Sequence, residues 1–130
     1  LDSTIRRYPV EPLWLMAGDF NSYSPKDADA MPANTYFETH SIVLKSGYCD
    51  ALRDRHSQFF HTVPTPYNGE STADQRRIDF IYASQAVMRE ITDSRIIYDE
   101  FTATHSDHYP VMFEFRHYPS GKQASGVALK

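Results

Sequence analysis

An apolar run that stops at a glycine is the feature that most constrains how this chain can fold. Residues 13–17 are all apolar, and Gly18 follows them. Asp19 and Asn21 come next, with one apolar residue between them. A short apolar run that ends at Gly predicts a buried strand entering a loop. Side chains alternate along a strand, so Asp19 and Asn21 point the same way, and the pair fits a turn as well as a functional site.

Length and composition predict one folded domain. Hydrophobic residues make up 41% of the 130 residues and charged residues 23%, which is typical of a folded chain and not of a disordered one. A net charge of -4 gives no indication of the basic surface patch that is usual in tight nucleic-acid binding. A bound divalent cation would nevertheless make the local charge at a phosphate site positive. The single cysteine, Cys49, excludes an internal disulfide and is expected in the core. No apolar run approaches the ~20 residues of a membrane span. The sequence does not indicate the cellular compartment of the protein.

The pattern along the chain predicts four or five strands and one or two short helices. After the strand at 13–17, the predicted elements are a helix at 35–45 that stops at Gly47, a helical turn at 49–54, a strand at 59–63, a strand at 76–83, a helical turn at 84–90, and strands at 91–98 and 111–115. Several strands are apolar on both faces, so both faces of their sheet should be covered. We therefore expect a layered α/β or α+β domain over residues 13–118, with a linker or the end of a preceding element at 1–12 and a flexible tail at 119–130. Trp14 and Tyr36 are expected in its core.

Polar groups lie at or next to three of the apolar strands. Asp19 and Asn21 close the first, Asp79 interrupts the strand at 76–83, and Asp107 and His108 precede the last. Carboxylates are hard oxygen ligands for Mg²⁺ or Mn²⁺, and a histidine held by a carboxylate can act as a general base. An amide can donate hydrogen bonds to a phosphoryl group as charge builds on it. This set of side chains suits the hydrolysis of a phosphate ester.

Structural alternatives stay open for several of these residues. Asp79 could form a buried salt bridge with Arg76 or Arg77, because burying its carboxylate unpaired is costly. Arg77 could instead reach a substrate phosphate, or be solvated. His108 could be an ordinary loop histidine, and nothing in the sequence ties His105 to a site, so we expect it at the surface. The histidines show no spacing typical of a structural zinc site.

Three segments, taken in order, resemble the C-terminal signatures of the endonuclease/exonuclease/phosphatase superfamily, which includes pancreatic-type deoxyribonuclease. They are Gly-Asp-Phe-Asn at 18–21, Arg-Ile-Asp-Phe-Ile at 77–81 and Ser-Asp-His-Tyr-Pro-Val at 106–111. The resemblance runs from about Leu13 to Phe115. It implies a four-layered α/β sandwich and a phosphoesterase that depends on Mg²⁺ or Mn²⁺. The family includes nucleases, sphingomyelinases and inositol-polyphosphate phosphatases, so the substrate could be nucleic acid, a lipid head group or a small phosphate ester.

The resemblance also implies a role for each matched residue. Asp19 would orient or activate the attacking water, and Asn21 would hold the phosphate in the transition state. Asp107 would be a metal ligand, directly or through water. His108 would contact the scissile phosphate or act as the base, and Asp79 would fix its ring.

The chain departs from the family in length, because the family's domain is about twice as long. In the family, the first half of the domain carries an Asn and a Glu that ligate the metal. Asp2 and Glu11 are the acidic residues before Leu13, and neither follows an apolar strand. We therefore expect the chain to be the C-terminal half of such a domain and to be catalytically incomplete alone. The N-terminal half would come from upstream in the same protein or from another chain.

Overall fold

The computed structural model describes residues 14–67 and 73–116, and the predictions for residues 1–12 and 119–130 lie outside this part. The elements, in chain order, are β1 (Leu15–Asp19), a 3₁₀ helix (Pro25–Ala30), α1 (Glu38–Lys45), β2 (Cys49–Asp50), β3 (Asp79–Ala83), α2 (Gln85–Arg89), β4 (Ile91–Ile96), α3 (Glu100–His105) and β5 (Val111–Phe115). None of the helices in the described ranges has the length and apolar character needed to cross a membrane.

The strands form two antiparallel sheets. One sheet has the order β1-β3-β2, and the other pairs β4 with β5. Strand β3 is central to the first sheet and also contacts β5 of the second. The register of β1 against β3 sets Asp19 directly opposite Asp79. The sheet therefore brings together two carboxylates that are far apart in the sequence.

The core lies on one face of β3. Phe80 and Tyr82 are fully buried, while Asp79 and Ile81 on the other face are half-buried. Strand β3 lies within the predicted strand at 76–83, which is thereby confirmed. The partners in the core come from α1, from β1 and the residues that flank it, and from the residue before β2; they are Val43, Tyr48 and, less buried, Trp14, Met16, Phe20, Ile42 and Leu44. Cys49 is buried as predicted, and burial raises the pKa of its thiol.

Arg77 contributes to the core instead of to a substrate site. Its guanidinium is 1% exposed and donates to Asp50 Oδ1 at 2.9 Å, Asp50 Oδ2 at 2.6 Å and Asp27 Oδ2 at 2.8 Å. It also lies over the ring of Phe80, 4.3 Å from the centroid. Both carboxylates are buried with it, and each of the three nitrogens of the guanidinium donates to one of them. The predicted contact of Arg77 with a substrate phosphate is therefore wrong, and so is its alternative pairing with Asp79.

Strand β1 is more exposed than the sequence predicts. Four of its five residues are exposed, with Leu15 at 41%. β1 lies at the edge of its sheet, because β3 pairs with one side of it and no other strand within the described residues pairs with the other side. The prediction of a buried strand here is therefore wrong, although the strand itself is confirmed.

Three other local predictions differ from the structure. Residues 59–63 form only one isolated bridge, from Val63 to Arg76, since Pro64 has no N–H with which to continue a ladder. The segment predicted as a helical turn starts as strand β2, because Cys49 and Asp50 pair with β3. Helix α1 begins at Glu38, and Tyr36 before it is 90% exposed and not in the core. The short helix α2 and the alternating strand β5 are confirmed.

Candidate active site

Asp19, Asp79 and His108 meet where β1 and β3 come together. One ligand atom from each of the three side chains can be chosen so that all lie within 4.8 Å of one another. Two like charges directly opposite across an antiparallel pair destabilise a sheet. A sheet that retains this arrangement needs a positive or hydrogen-bonding group beside it, and His108 supplies one such group.

The imidazole of His108 is oriented by Asp79. Its Nδ1 lies 2.8 Å from Asp79 Oδ2. An ionised carboxylate can only accept, so Nδ1 carries the proton and donates it to Asp79. In the neutral ring Nε2 is then an acceptor, and it has no hydrogen-bond partner among the described residues. The backbone N–H of His108 donates to Ser106 Oγ at 3.1 Å, which fixes the loop before β5.

The segment after β1 is a turn that also holds Asp19. The backbone N–H of Asn21 donates to Asp19 Oδ1 at 2.7 Å, and Asn21 has a φ of 46°. Asn is one of the few residues other than Gly that adopts this left-handed region readily. The turn and the site therefore involve the same residues, since the turn fixes one oxygen of Asp19 and leaves the other free of any hydrogen bond within the described ranges.

His40 stabilises this turn from the core. Its Nε2 lies 3.1 Å from the carbonyl oxygen of Ser22 and 2.9 Å from Ser22 Oγ, and its Nδ1 lies 2.6 Å from the hydroxyl of Tyr82. Burial lowers the pKa of His40 to about 4, and the cation of Arg77 adds to this, so the ring is neutral near neutral pH. A buried histidine thus anchors the residues that follow Asp19 to strand β3.

Thr62 is a positioning residue that sequence reasoning missed. It is fully buried, and its Oγ1 accepts from the backbone N–H groups of Ile78 at 3.1 Å and Asp79 at 3.3 Å. Its carbonyl oxygen accepts from the backbone N–H of Tyr109 at 2.8 Å. One residue therefore contacts the backbone at Asp79 and next to His108. No sequence signal marks it, because these bonds join segments with no local periodicity in common.

A cavity of about 470 Å³ contains the three side chains. It extends from them along β1, β3, α3 and the start of β5, and it is lined in part by Phe101, His105 and Tyr109. Asn21 and Asp107 lie outside this lining, and Asp107 is exposed and not a member of the close group. Of the six predicted site residues, the structure brings together Asp19, Asp79 and His108.

The donor set fits a hard divalent cation. Mg²⁺ is usually held by one or two protein carboxylates and keeps several waters. Asp19 and Asp79 supply two carboxylates on facing strands, and one oxygen of each is already oriented by a hydrogen bond, from Asn21 and from His108. The opposed pair of negative charges would be compensated by such an ion.

Comparisons with known proteins give the fold. No protein-family model matches the sequence, and no curated protein matches it either. Among solved structures, the 3′ phosphatase NExo from Neisseria, bound to a product DNA hairpin, matches with a TM-score of 0.64 and 24% identity over 89% of this chain and 49% of that chain. An AP endonuclease from Archaeoglobus fulgidus matches with a TM-score of 0.68 and 20% identity over 88% of this chain and 50% of that chain. The 3′-5′ exonuclease NExo from Neisseria meningitidis matches with a TM-score of 0.64 and 23% identity over 88% of this chain and 48% of that chain.

These matches agree with the predicted half-length of the domain. The chain spans about half the length of each of the three solved structures. Its mixed helices and antiparallel sheets are those of the same α/β architecture. The chain therefore has the deoxyribonuclease I-like α/β fold that these solved structures share, over about half the length of each of them.

Proposed function

We propose that the protein hydrolyses phosphodiesters of nucleic acid with the help of a divalent cation. The observation that carries this proposal is the Asp79–His108 hydrogen bond of 2.8 Å, with the carboxylate of Asp19 in the same close group. A carboxylate that orients an imidazole, with a second carboxylate beside it, is an arrangement that can activate water.

The residues of the chain act on the attacking water in this proposal. Nε2 of His108 accepts a proton from the water as its oxygen attacks phosphorus, and the bond from phosphorus to the leaving oxygen breaks. Asp79 keeps the proton on Nδ1, so that Nε2 is the basic nitrogen. The carboxylate of Asp79 also stabilises the imidazolium that forms when Nε2 takes up the proton. The oxygen of Asp19 that accepts no hydrogen bond from Asn21 orients the water. The side-chain amide of Asn21 donates to the phosphoryl oxygens.

Mg²⁺, or Mn²⁺ in its place, is the cation that suits these donors. Asp79 would hold it through the oxygen that does not accept from His108, and Asp107 would hold it directly or through water. When bound, such an ion polarises the phosphoryl group and neutralises the charge that builds on it. The net charge of -4 makes a positive ion at this position more necessary for binding a phosphate.

Nucleic acid is the substrate that the neighbours favour. The three solved structures are named as a 3′ phosphatase, an AP endonuclease and a 3′-5′ exonuclease, and one of them holds a DNA product. NExo is named both as a 3′ phosphatase and as an exonuclease, so removal of a 3′-phosphate is the second candidate reaction. The remaining half of the domain completes the site in either case.

A substrate panel tests this proposal on the full-length protein. The panel contains a single-stranded oligonucleotide, the same oligonucleotide with a 3′-phosphate, a phosphodiester lipid and an inositol phosphate, each with Mg²⁺ or with EDTA. We expect cleavage of the oligonucleotide backbone with Mg²⁺, none with EDTA, and recovery when Mg²⁺ is added back. Release of inorganic phosphate alone would favour the second candidate. Hydrolysis only of the lipid or the inositol phosphate, or of nothing, would contradict the proposal.

A further inference from the structure

Helix α3 carries an exposed aromatic stack in the wall of the cavity. Phe101 is 69% exposed, and the ring of His105 stacks on it with 4.3 Å between centroids and 15° between planes. Both rings line the same cavity as Asp79 and His108. One face of Phe101 is covered by His105, so its exposure leaves apolar ring surface that another flat group could cover.

The stack is held in place by hydrogen bonds of the helix. The carboxylate of Asp99 accepts from the backbone N–H of Thr102 at 2.7 Å, and the hydroxyl of Thr102 accepts from the N–H of Asp99 at 3.2 Å. Nδ1 of His105 lies 2.9 Å from the carbonyl oxygen of Phe101, to which it donates, and this fixes the plane of the imidazole. A ligand that stacks here therefore meets a surface that needs little ordering.

We propose that Phe101 and His105 form a stacking subsite for the nucleobase next to the scissile phosphate. The subsite rests on the proposed function, because the cavity connects it to the Asp79–His108 pair. A cavity of about 470 Å³ is within the usual range for a small-ligand site. In nucleic acid, every phosphate lies next to a nucleoside, so a phosphate at His108 brings a base into the same region.

Stacking also fits the charge of this chain. Aromatic side chains bind bases through their uncharged faces, and this contact tolerates any sequence. The formal net charge of -4 gives no sign of a broad basic surface that would bind the backbone alone. Lipid head groups and inositol phosphates have no flat ring, which makes a nucleobase the occupant that the stack selects.

Fluorescence titration with two oligonucleotides tests the subsite on the full-length protein. One oligonucleotide carries 2-aminopurine beside the scissile phosphate, and the other carries a base-free tetrahydrofuran residue there with a remote dye. Binding is measured with Mg²⁺ in a His108→Ala background, so that the oligonucleotide is not consumed. Phe101→Ala is compared with Phe101→Trp, which keeps a stacking ring, and with Tyr36→Ala, which removes an exposed ring outside the cavity.

We expect Phe101→Ala to weaken binding of the 2-aminopurine oligonucleotide by about 5- to 100-fold and to abolish its quenching. Phe101→Trp and Tyr36→Ala should bind normally, and His105→Ala should weaken binding in the same direction as Phe101→Ala. The base-free oligonucleotide should bind with equal affinity to all of these variants, since the ring that stacks is missing from the ligand.

The outcomes separate the subsite from the proposed function. Equal affinity of the parent protein and Phe101→Ala for the 2-aminopurine oligonucleotide overturns the subsite, whatever the hydrolysis panel gives. A lower melting temperature of Phe101→Ala together with unchanged affinity shows that another part of the protein covers the ring, and it also overturns the subsite. A base-dependent loss of affinity without any hydrolysis by the parent protein supports the subsite and contradicts the proposed reaction.

Discussion

At the scale of single residues, the proposed chemistry depends on the orientation of His108. A free imidazole can carry its proton on either nitrogen, and only the tautomer with a proton on Nδ1 leaves Nε2 able to accept one. Asp79 selects that tautomer through its 2.8 Å hydrogen bond, and Asp79 is itself held by its place opposite Asp19 in the β1–β3 register. The pairing of β1 with β3 therefore determines which nitrogen of the His108 ring carries the proton.

Asp79→Asn tests this dependence. The amide has nearly the same shape as the carboxylate, but its NH₂ group can donate to Nδ1 and favour the tautomer with a proton on Nε2. We expect kcat for oligonucleotide cleavage to fall by about 10²- to 10⁴-fold with the fold intact by circular dichroism. Asp29→Asn, which alters an exposed carboxylate outside the cavity, is the matched control and should leave kcat unchanged. A kcat within about threefold of the parent for Asp79→Asn would contradict the assigned role.

Thr62 allows a second test at this scale. Thr62→Val keeps the shape of the side chain but removes the oxygen that accepts from the N–H groups of Ile78 and Asp79. We expect kcat to fall about tenfold with KM nearly unchanged, because the backbone at Asp79 loses its support. Thr62→Ser restores the hydroxyl and should recover kcat. If Thr62→Val lowers stability but leaves kcat at the parent value, Thr62 has a structural role only.

At the scale of elements, the apolar strands were the part of the fold that the sequence predicted best. Strand β3 lies within the predicted range 76–83, and β5 has the predicted bounds. Helix α3 was missed because it is only six residues long and carries β-branched Thr102 and Thr104, which disfavour a helix locally. Its capping box, a contact within four residues, compensates for this.

Long-range contacts explain the remaining differences between sequence and structure. Arg77 is near two possible partners in the sequence, Asp74 and Asp79, yet its guanidinium binds Asp27 and Asp50, which lie far from it along the chain. Periodicity reports only on local structure, so it could not identify these partners. For the site, the order of the polar motifs was enough to predict that Asp19, Asp79 and His108 lie together, but it also included Asn21 and Asp107, which lie outside the cavity lining, and it gave no sign of Thr62.

The packing of α1 on β3 leads to a prediction about pH. The pKa of buried His40 is lowered from 6.5 to about 4, so below about pH 6.5 the unfolded chain binds a proton that the folded chain does not. The free energy of unfolding should therefore fall as the pH falls from about 6.5 towards 4, with a loss on the order of 3 kcal/mol from this residue. Urea unfolding of the parent protein and of His40→Gln at several pH values measures this loss. The free energy of unfolding of the variant should fall less between pH 6.5 and pH 4 than that of the parent. An equal pH dependence of the two proteins would contradict the lowered pKa of His40.

At the scale of the whole molecule, the exposed strand β1 is the feature that connects fold and function. Leu15 and its neighbours present apolar surface at the edge of the sheet, and the same strand ends at Asp19. The chain spans about half the length of the solved structures that share its fold. We propose that the other half of the domain packs beside β1 and supplies further ligands for the cation. The site would then be completed at the boundary between the two halves.

The measurement that tests the central claim most directly is the rate of oligonucleotide cleavage by the full-length protein and by His108→Ala, both with saturating Mg²⁺. If His108, oriented by Asp79, takes the proton from the attacking water, the variant should retain its fold and its affinity for the oligonucleotide and lose kcat by about 10²- to 10⁴-fold. Cleavage by His108→Ala at the rate of the parent protein would show that the Asp79–His108 pair does not perform the reaction.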